Sequence, residues 1–386
     1  MNSPSRSLFI FMAAATGICV ANLYYCQPLL GQMGADFGLG AKEMGLVPTL
    51  TQAGYAVGML LIVPTGDLFE RRRLAVLFTL LAAACCAILA FTPHFSLLVA
   101  GSFLLGLTTM TPQILIPFAA NIAKPEERGR VVGTMMSGLL LGILLARTVS
   151  GFLAVFGWRF MYGLVAGVLL ALGLALQFLL PKAEPTFRGS YSGLMRSIVD
   201  ITRTQPVLRE AAVFGGLLFG AFSAFWATLI YLMQGFDLGP RAVGLFGLLG
   251  AGAALLSPVV GSFMDRSEPR KVTGYMFGLI FLSFALFWGS EKSLVGIALG
   301  VLLMDIAVQA GHISNQARVF QLIPEARSRL QTVYMFAYFT GGALGSLIGS
   351  WAWDNFGWAG VCASAMGMMV VGGAVWWMGR KKFTTA

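Results

Sequence analysis

The feature that most constrains this chain is a succession of twelve apolar runs. They lie at 8–30, 44–65, 74–92, 95–120, 131–154, 158–180, 211–234, 242–264, 272–289, 293–320, 331–352 and 358–379. Most approach or exceed the ~20 residues that cross a ~30 Å hydrocarbon core. Backbone amides in lipid need partners within their own segment, so the runs are expected to be helices. Charged residues fill 11% of the 386 positions, against about 25% in soluble domains, which excludes a soluble fold. The stretch after Arg6 runs on to Leu30 without a small-residue cleavage site and reads as a first helix that stays in place.

The net charge of +10 is not gathered on one soluble face, as nucleic-acid binding would require. It sits in short clusters between the apolar runs. With the amino terminus placed inside, 21 of the 26 Lys and Arg residues fall in inner segments and four (Lys42, Arg159, Arg241, Lys292) in outer loops. The remaining one, Arg147, lies within a helix. That bias predicts an inner-membrane protein with both termini in the cytoplasm. The five cysteines all lie in apolar runs without metal or redox spacing, so no cofactor or metal is expected. Pro28, Pro112, Pro117 and Pro258 fall inside runs and predict kinks.

The chain repeats itself. Phe37, Gly40, Gly45 and Leu46 recur 199 residues later as Phe236, Gly239, Gly244 and Leu245. Pro125-Glu126-Glu127-Arg128 recurs as Pro324-Glu325-Ala326-Arg327, and Phe156-Gly157-Trp158 as Phe356-Gly357-Trp358. The pattern predicts an all-α membrane fold of two pseudo-symmetric six-helix bundles, 1–180 and 211–386, in the same orientation. A polar, basic linker at 181–210 joins them, with a short amphipathic helix at Gly193–Thr202. Transporters built on parallel repeats bind substrate between the halves near the midplane. One chain supplies both halves, so a monomer suffices.

These residues resemble the major facilitator superfamily over essentially the whole chain. The family's signature loop between helices two and three stands here as Gly66-Asp67-Leu68-Phe69-Glu70-Arg71-Arg72-Arg73, with Glu70 in place of the family Asp and the second glycine missing. The second half keeps an Asp-Arg pair in Gly261-Ser262-Phe263-Met264-Asp265-Arg266. The resemblance implies that Gly66, Asp67, Glu70, Arg71, Gly261, Asp265 and Arg266 latch the halves in one state. Helix five resembles the glycine-rich pattern of the twelve-helix drug and sugar proton antiporters. Gly138, Gly142 and Gly151 are present, but Arg147 stands where those exporters have proline. The family arginine of helix four is replaced by Ser102, and helix one offers Asn22, Tyr24 and Tyr25 where exporters of cationic drugs often carry an acid.

Two charges fall deep in the apolar runs. Asp305 lies ~18 Å below the outer surface at 1.5 Å per residue, and Gln309, His312 and Gln316 follow on the same helix face. An intramembrane acid beside a relay-competent imidazole suggests proton coupling through Asp305, Gln309 and His312. Arg147 lies ~24 Å above Val131, near the outer interface, where it either snorkels or meets a substrate anion. Its axial offset from Asp305 is ~12 Å, too long for a direct pair. The expected pocket takes Asn22 and Tyr25 from helix one, Gln113 from helix four, Phe225 and Trp226 from helix seven, Asn315 from helix ten, and Tyr334 and Tyr338 from helix eleven, with Arg147. Aromatic walls with a few polar groups suit a small amphipathic molecule.

The leading expectation is secondary active transport of a small organic molecule, in proton-coupled export. Proton-coupled uptake of a metabolite or organic anion is the alternative, and a transporter-like sensor a lesser one. No Gly-x-x-x-x-Gly-Lys-Ser/Thr loop is present to power an ATP-driven pump, and no paired acids or metal ligands suggest a membrane enzyme.

Overall fold

The computed structural model describes residues 5–182, 190–255, 268–323 and 326–383, and these contain no strand. The first span is split into α1 (Arg6–Val20), a single tight turn at Ala21–Leu23, and α2 (Cys26–Phe37). The second is α3 (Ala41–Met44) with α4 (Leu46–Leu61), and the third is α5 (Arg71–Ala90). The fourth is also split, into α6 (Phe95–Thr108) and α7 (Thr111–Ile122). α8 (Arg128–Leu153) and α9 (Trp158–Leu179) complete the first bundle. A linker helix α10 (Tyr191–Thr204) precedes α11 (Pro206–Gln234), α12 (Pro240–Leu255), α13 (Pro269–Gly289) and α14 (Leu294–Phe320). The last element, α15 (Arg327–Phe383), holds the eleventh and twelfth spans, which are broken apart at Gly357.

Gly357 has φ of +62°, which L side chains rarely adopt, and Gly157 at the matching turn between α8 and α9 has +88°. Both glycines of the repeated Phe-Gly-Trp therefore do the same work. Ten stretches among the described residues are long and apolar enough to cross a membrane; one of them holds both spans of α15. α12 is too short, as far as it is described, to be among them. Exposed Leu141, Leu145, Val149 and Phe152 on α8 form a stripe for lipid, spaced as one helix face.

Proline explains which spans break. A proline ring clashes with the carbonyl four residues earlier. Pro28 thus acts on Tyr24, where α1 and α2 part, and Pro112 acts on Thr108, where α6 ends. Both prolines then sit in the first turn of the next helix, where a missing N–H costs little. The expected kinks at these two residues are displaced one turn earlier; Pro117 stays inside α7, and Pro258 lies outside the described residues. The repeat equivalents of Pro28 and Pro112 are Ala227 and Gly311, and α11 and α14 run unbroken.

Within each half, glycines bring two helices together at the same place. Gly17 on α1 meets Gly138 and Gly142 on α8, and a β-carbon at any of the three would strike backbone. Gly216 and Gly220 on α11 meet Gly341 and Gly345 on α15 in the same way. An arginine then ties each bundle at its basic end. Arg72 donates to the Leu180 carbonyl, and Arg270 donates to that of Trp376 at 2.6 Å.

Two seams join the halves, α4 against α15 and α8 against α12. Gly45 packs on Ser350 in one, and Gly151 on Pro240 and Gly244 in the other. Among the described residues, the side-chain hydrogen bonds that directly join the two bundles all lie in these seams or beside them. Thr148 donates to the Gly244 carbonyl at 2.9 Å, Gln52 to Ser346 at 3.2 Å, and Ser223 to Gln52 at 3.3 Å. All of these lie from midspan toward the arginine-poor end. At the arginine-rich end α10 reaches both halves: the Tyr191 hydroxyl donates to the Leu61 carbonyl at 2.9 Å, and Arg329 donates to Ser197. Leu194, Ile198 and Ile201 form the buried face of α10, whose Ser190 cap accepts from the Gly193 amide at 3.2 Å.

Candidate functional site

Arg147 sits between the halves, at the α8–α12 seam. It is 2% exposed, so it does not snorkel to either interface. Its Nε donates to Gln27 Oε1 at 2.6 Å. Its guanidinium carbon lies 4.0 Å from the centre of the Trp226 ring, 4.8 Å from Tyr24 and 5.5 Å from Phe222. Three ring faces stabilise a buried cation through their quadrupoles. Among the described residues, one amino group, Nη2, is buried without a hydrogen-bond partner, and so is the indole Nε1 of Trp226.

Asp305 on α14 is also buried. No ion pair with Arg147 forms, although each lies within the other's electrostatic reach. α12 stands beside both. A β-carbon on Gly247 would lie 3.1 Å from Arg147 Cβ, and one on Gly250, a turn along, 2.8 Å from Asp305 Oδ2. Two glycines thus leave room for two charges on one helix face.

An unbroken train of rings leads from the arginine toward the basic end. Trp226 neighbours Phe222, which stacks on Phe219, which stacks on Tyr338 at 4.1 Å between centroids. His312 lies 4.6 Å from Tyr338, and its Nδ1 is 3.0 Å from the Tyr334 hydroxyl. His312 and Gln309 are half-buried on the face that begins at Asp305. Asn315 Oδ1 accepts from Thr273 at 3.2 Å, and Gln113 donates to the Tyr55 hydroxyl at 2.9 Å.

Comparison with known proteins identifies this arrangement. The sequence model of the Major Facilitator Superfamily matches residues 7–239 and 211–386. The chain belongs to the Major Facilitator Superfamily. It is 43% identical over 379 residues to the putative uncharacterized transporter YgaY of Escherichia coli K12, covering 97% of this chain and 96% of that one. It is 32% identical over 372 residues to the probable transporter SCO4007 of Streptomyces coelicolor, covering 95% and 86%. Among solved structures, a bacterial homolog of the human lysosomal transporter Spinster, inward-facing and occupied, superposes with a TM-score of 0.79 at 13% identity over 99% of this chain and 98% of that one. The protein is thus a multi-pass membrane transporter of the major facilitator type.

Within this family frame, three expected pocket residues move. The break above Pro28 turns Tyr25 aside, where its electrostatic neighbours are Cys86 and Cys19, and puts Tyr24 against Arg147. Phe225 faces the interior of the second bundle, stacked on Phe287 at 4.5 Å and beside Trp358 at 5.9 Å. Asn315 braces α14 against α13 through Thr273 and stands beside Tyr334. Asn22, in the tight turn, is 1% exposed with neither amide atom paired. Trp226, Tyr338, Tyr334 and Gln113 belong to the ring-lined centre or its walls.

Of the latch residues, Glu70 pairs with Arg73 at 2.8 Å and Arg72 at 3.8 Å, and Arg71 Nε donates to the Gly66 carbonyl at 3.0 Å. The Asp67 backbone lies in the turn Val63–Asp67. Gly261, Asp265 and Arg266 lie outside the described residues. Gly138 and Gly142 serve packing against α1, and Gly151 serves the seam.

Sequence reasoning missed Gln27, Gln52 and Glu210, and named Tyr24 only as standing where exporters of cationic drugs carry an acid. Glu210 binds Arg270 at 2.9 Å and also pairs with Arg318, both buried. An acid within the first turns of an apolar run was the available signal for Glu210. For Gln52 it was a lone amide in an apolar helix, which is costly to bury unless it bonds.

Proposed function

We propose that the protein moves a small organic molecule across the inner membrane by alternating access, coupled to protons through Asp305 and working as an exporter. The observation that carries this reading is Asp305 itself: a buried carboxyl without an ion pair, beside a seam between halves that must part if access alternates. A carboxyl so placed gains or loses a proton as hydration of the cavity changes. His312 and Gln309 continue its helix face toward the basic end as a relay path. With that end in the cytoplasm, as the positive-inside rule directs, both termini are cytoplasmic and the hydrogen-bonded parts of the two seams face outward. The glycine spacing of α8 supports export, and the charged loops around Glu70 and Asp265 serve as gates.

A second reading, proton-coupled uptake of an organic anion, is favoured by the unpaired Nη2 of Arg147. In cells challenged with a panel of toxic compounds, wild type should lower accumulation of at least one of them. An uncoupler and Asp305→Asn should each abolish that difference. Uncoupler-sensitive export by Asp305→Asn would remove Asp305 from the coupling, and no difference across the panel would turn the reading to uptake.

A further inference from the structure

We infer that the central site binds a small organic anion carrying an aromatic or similarly planar group, with Arg147 holding the anionic end and the Trp226–Phe222–Phe219–Tyr338 train holding the ring. The inference rests on the reading that this site carries the transported molecule.

The argument begins with what Arg147 lacks. A guanidinium carries five N–H donors in a planar fork suited to a carboxylate. Here one donor is used, by a neutral amide, Gln27, and Nη2 has no partner although it is buried. Burying a cation is unfavourable by several kcal/mol unless an anion and hydrogen bonds offset it. Asp305 is the buried acid within electrostatic reach, and it forms no ion pair with the arginine. A tight structural brace would close that gap. Gln27 instead fixes the Nε side and orients the fork, which leaves the amino side for an anion.

A second buried donor lacks a partner beside it: among the described residues, Trp226 Nε1 is unpaired on the ring that lies against the guanidinium. Buried donors of this kind are normally satisfied, so the two together mark a place where a polar ligand sits. The lining supplies the rest of the selectivity. Phe219 stacks on both Phe222 and Tyr338, giving a continuous apolar wall from the cation to His312. A planar ring fits such a wall by offset stacking or edge contact. With Asp305 protonated, Arg147 leaves the site one net positive charge, which a monoanion balances.

The test uses the full chain in lipid nanodiscs and four probes: benzoate, its neutral isostere benzamide, the cation benzylamine, and acetate, which keeps the charge without the ring. Binding is read by calorimetry and by thermal stabilisation, without any ion gradient. Benzoate is expected to bind at least about tenfold more tightly than each of the others, the value of one charge-assisted hydrogen bond or one buried ring. Arg147→Gln should lose that preference, and Arg147→Lys, which keeps the charge without the fork, should keep part of it. Retention by Arg147→Lys also shows that the loss in Arg147→Gln is not misfolding. Benzoate binding no better than benzamide, or unchanged by Arg147→Gln, overturns the anion. Acetate equal to benzoate overturns the ring. Because binding needs no gradient, anion binding without flux would remove the transport reading of this site and leave the anion site. Flux of a neutral or cationic compound without benzoate binding would do the reverse.

Discussion

The two seams between the bundles are equivalent by the repeat and opposite in chemistry. Gly45 against Ser350 in one corresponds to Gly244 against Gly151 in the other, 199 residues apart in both partners. One turn deeper the same offset carries Arg147 onto Ser346. In the α4–α15 seam Ser346 receives a hydrogen bond from Gln52, whose own oxygen accepts from Ser223, so this group is neutral and bonded within itself, and the hydroxyl of Ser350 beside it, though unpaired among the described residues, is neutral too. In the α8–α12 seam the equivalent place holds a buried cation with an unpaired donor. A satisfied neutral contact can part and re-form with little preference for what enters. An unsatisfied charge is at its best only when something arrives to complete it. One seam is built as a hinge contact and the other as a receptor.

That contrast breaks most directly on exchange of the two polar groups. Arg147→Gln should lower transport by about a hundredfold, because hydrogen bonds to charged groups contribute about 1.5–3 kcal/mol each. Ser346→Ala should lower it by no more than about tenfold, in keeping with a neutral bond of about 0.5–1.5 kcal/mol. Initial-rate uptake or efflux in proteoliposomes measures both. Equal losses would mean that the seams are mechanically alike and that Arg147 serves only to hold α8.

A second pair of equivalent sites separates stability from transport. Gly106 on α6 and Asp305 on α14 occupy the same repeat position, as do Thr51 on α4 and Gly250 on α12. In the first half the glycine is on the fourth span, and a β-carbon there would strike the Thr51 backbone. In the second half the glycine has changed sides, and its β-carbon would meet the Asp305 carboxylate at 2.8 Å and the Leu144 side chain at 3.1 Å. Backbone cannot yield, whereas side chains can. Gly106→Ala should therefore lower the thermal midpoint and the folded yield, with overpacking of about 1–3 kcal/mol. Gly250→Ala should fold near normally and lose about tenfold in transport, by displacing the acid. Fluorescence-detected size exclusion and flux, run on both variants, decide it. Normal flux in Gly250→Ala would show that the acid's position does not matter.

These equivalences also show what the sequence made legible. Hydropathy set the spans, because lipid imposes one solution on the backbone, and the repeated Phe-Gly-Trp marked both turns where glycine takes positive φ. Asp305 and Arg147 stood out because charge in lipid is rare. The facing of helix one was misread because a continuous helix was assumed through Tyr24. The proline that breaks it lies four residues on, and its effect falls behind it rather than at its own position. Whether Arg147 snorkels or faces the interior was not legible for a related reason: rise along one helix gives axial height, but whether a side chain meets lipid or the other bundle depends on the seam. Gln52 escaped notice because a neutral amide leaves little mark on hydropathy, although the structure makes it the centre of a contact between halves.

The smallest expected effect concerns the basic end. There α10 is hydrogen-bonded to both bundles, through the Tyr191 hydroxyl to the Leu61 carbonyl and through Ser197 to Arg329. The Tyr191 bond is a neutral contact to an exposed helix at a surface, at the lower end of about 0.5–1.5 kcal/mol. Tyr191→Phe removes it and leaves the ring. If the strap favours the state in which the basic end is open, losing one bond should change the maximal transport rate by no more than about threefold, and leave benzoate affinity unchanged. If instead Tyr191→Phe altered affinity, α10 would be coupled to the receptor seam through the bundle. The division of labour between a hinge seam and a binding seam would then have to include the linker as a third element.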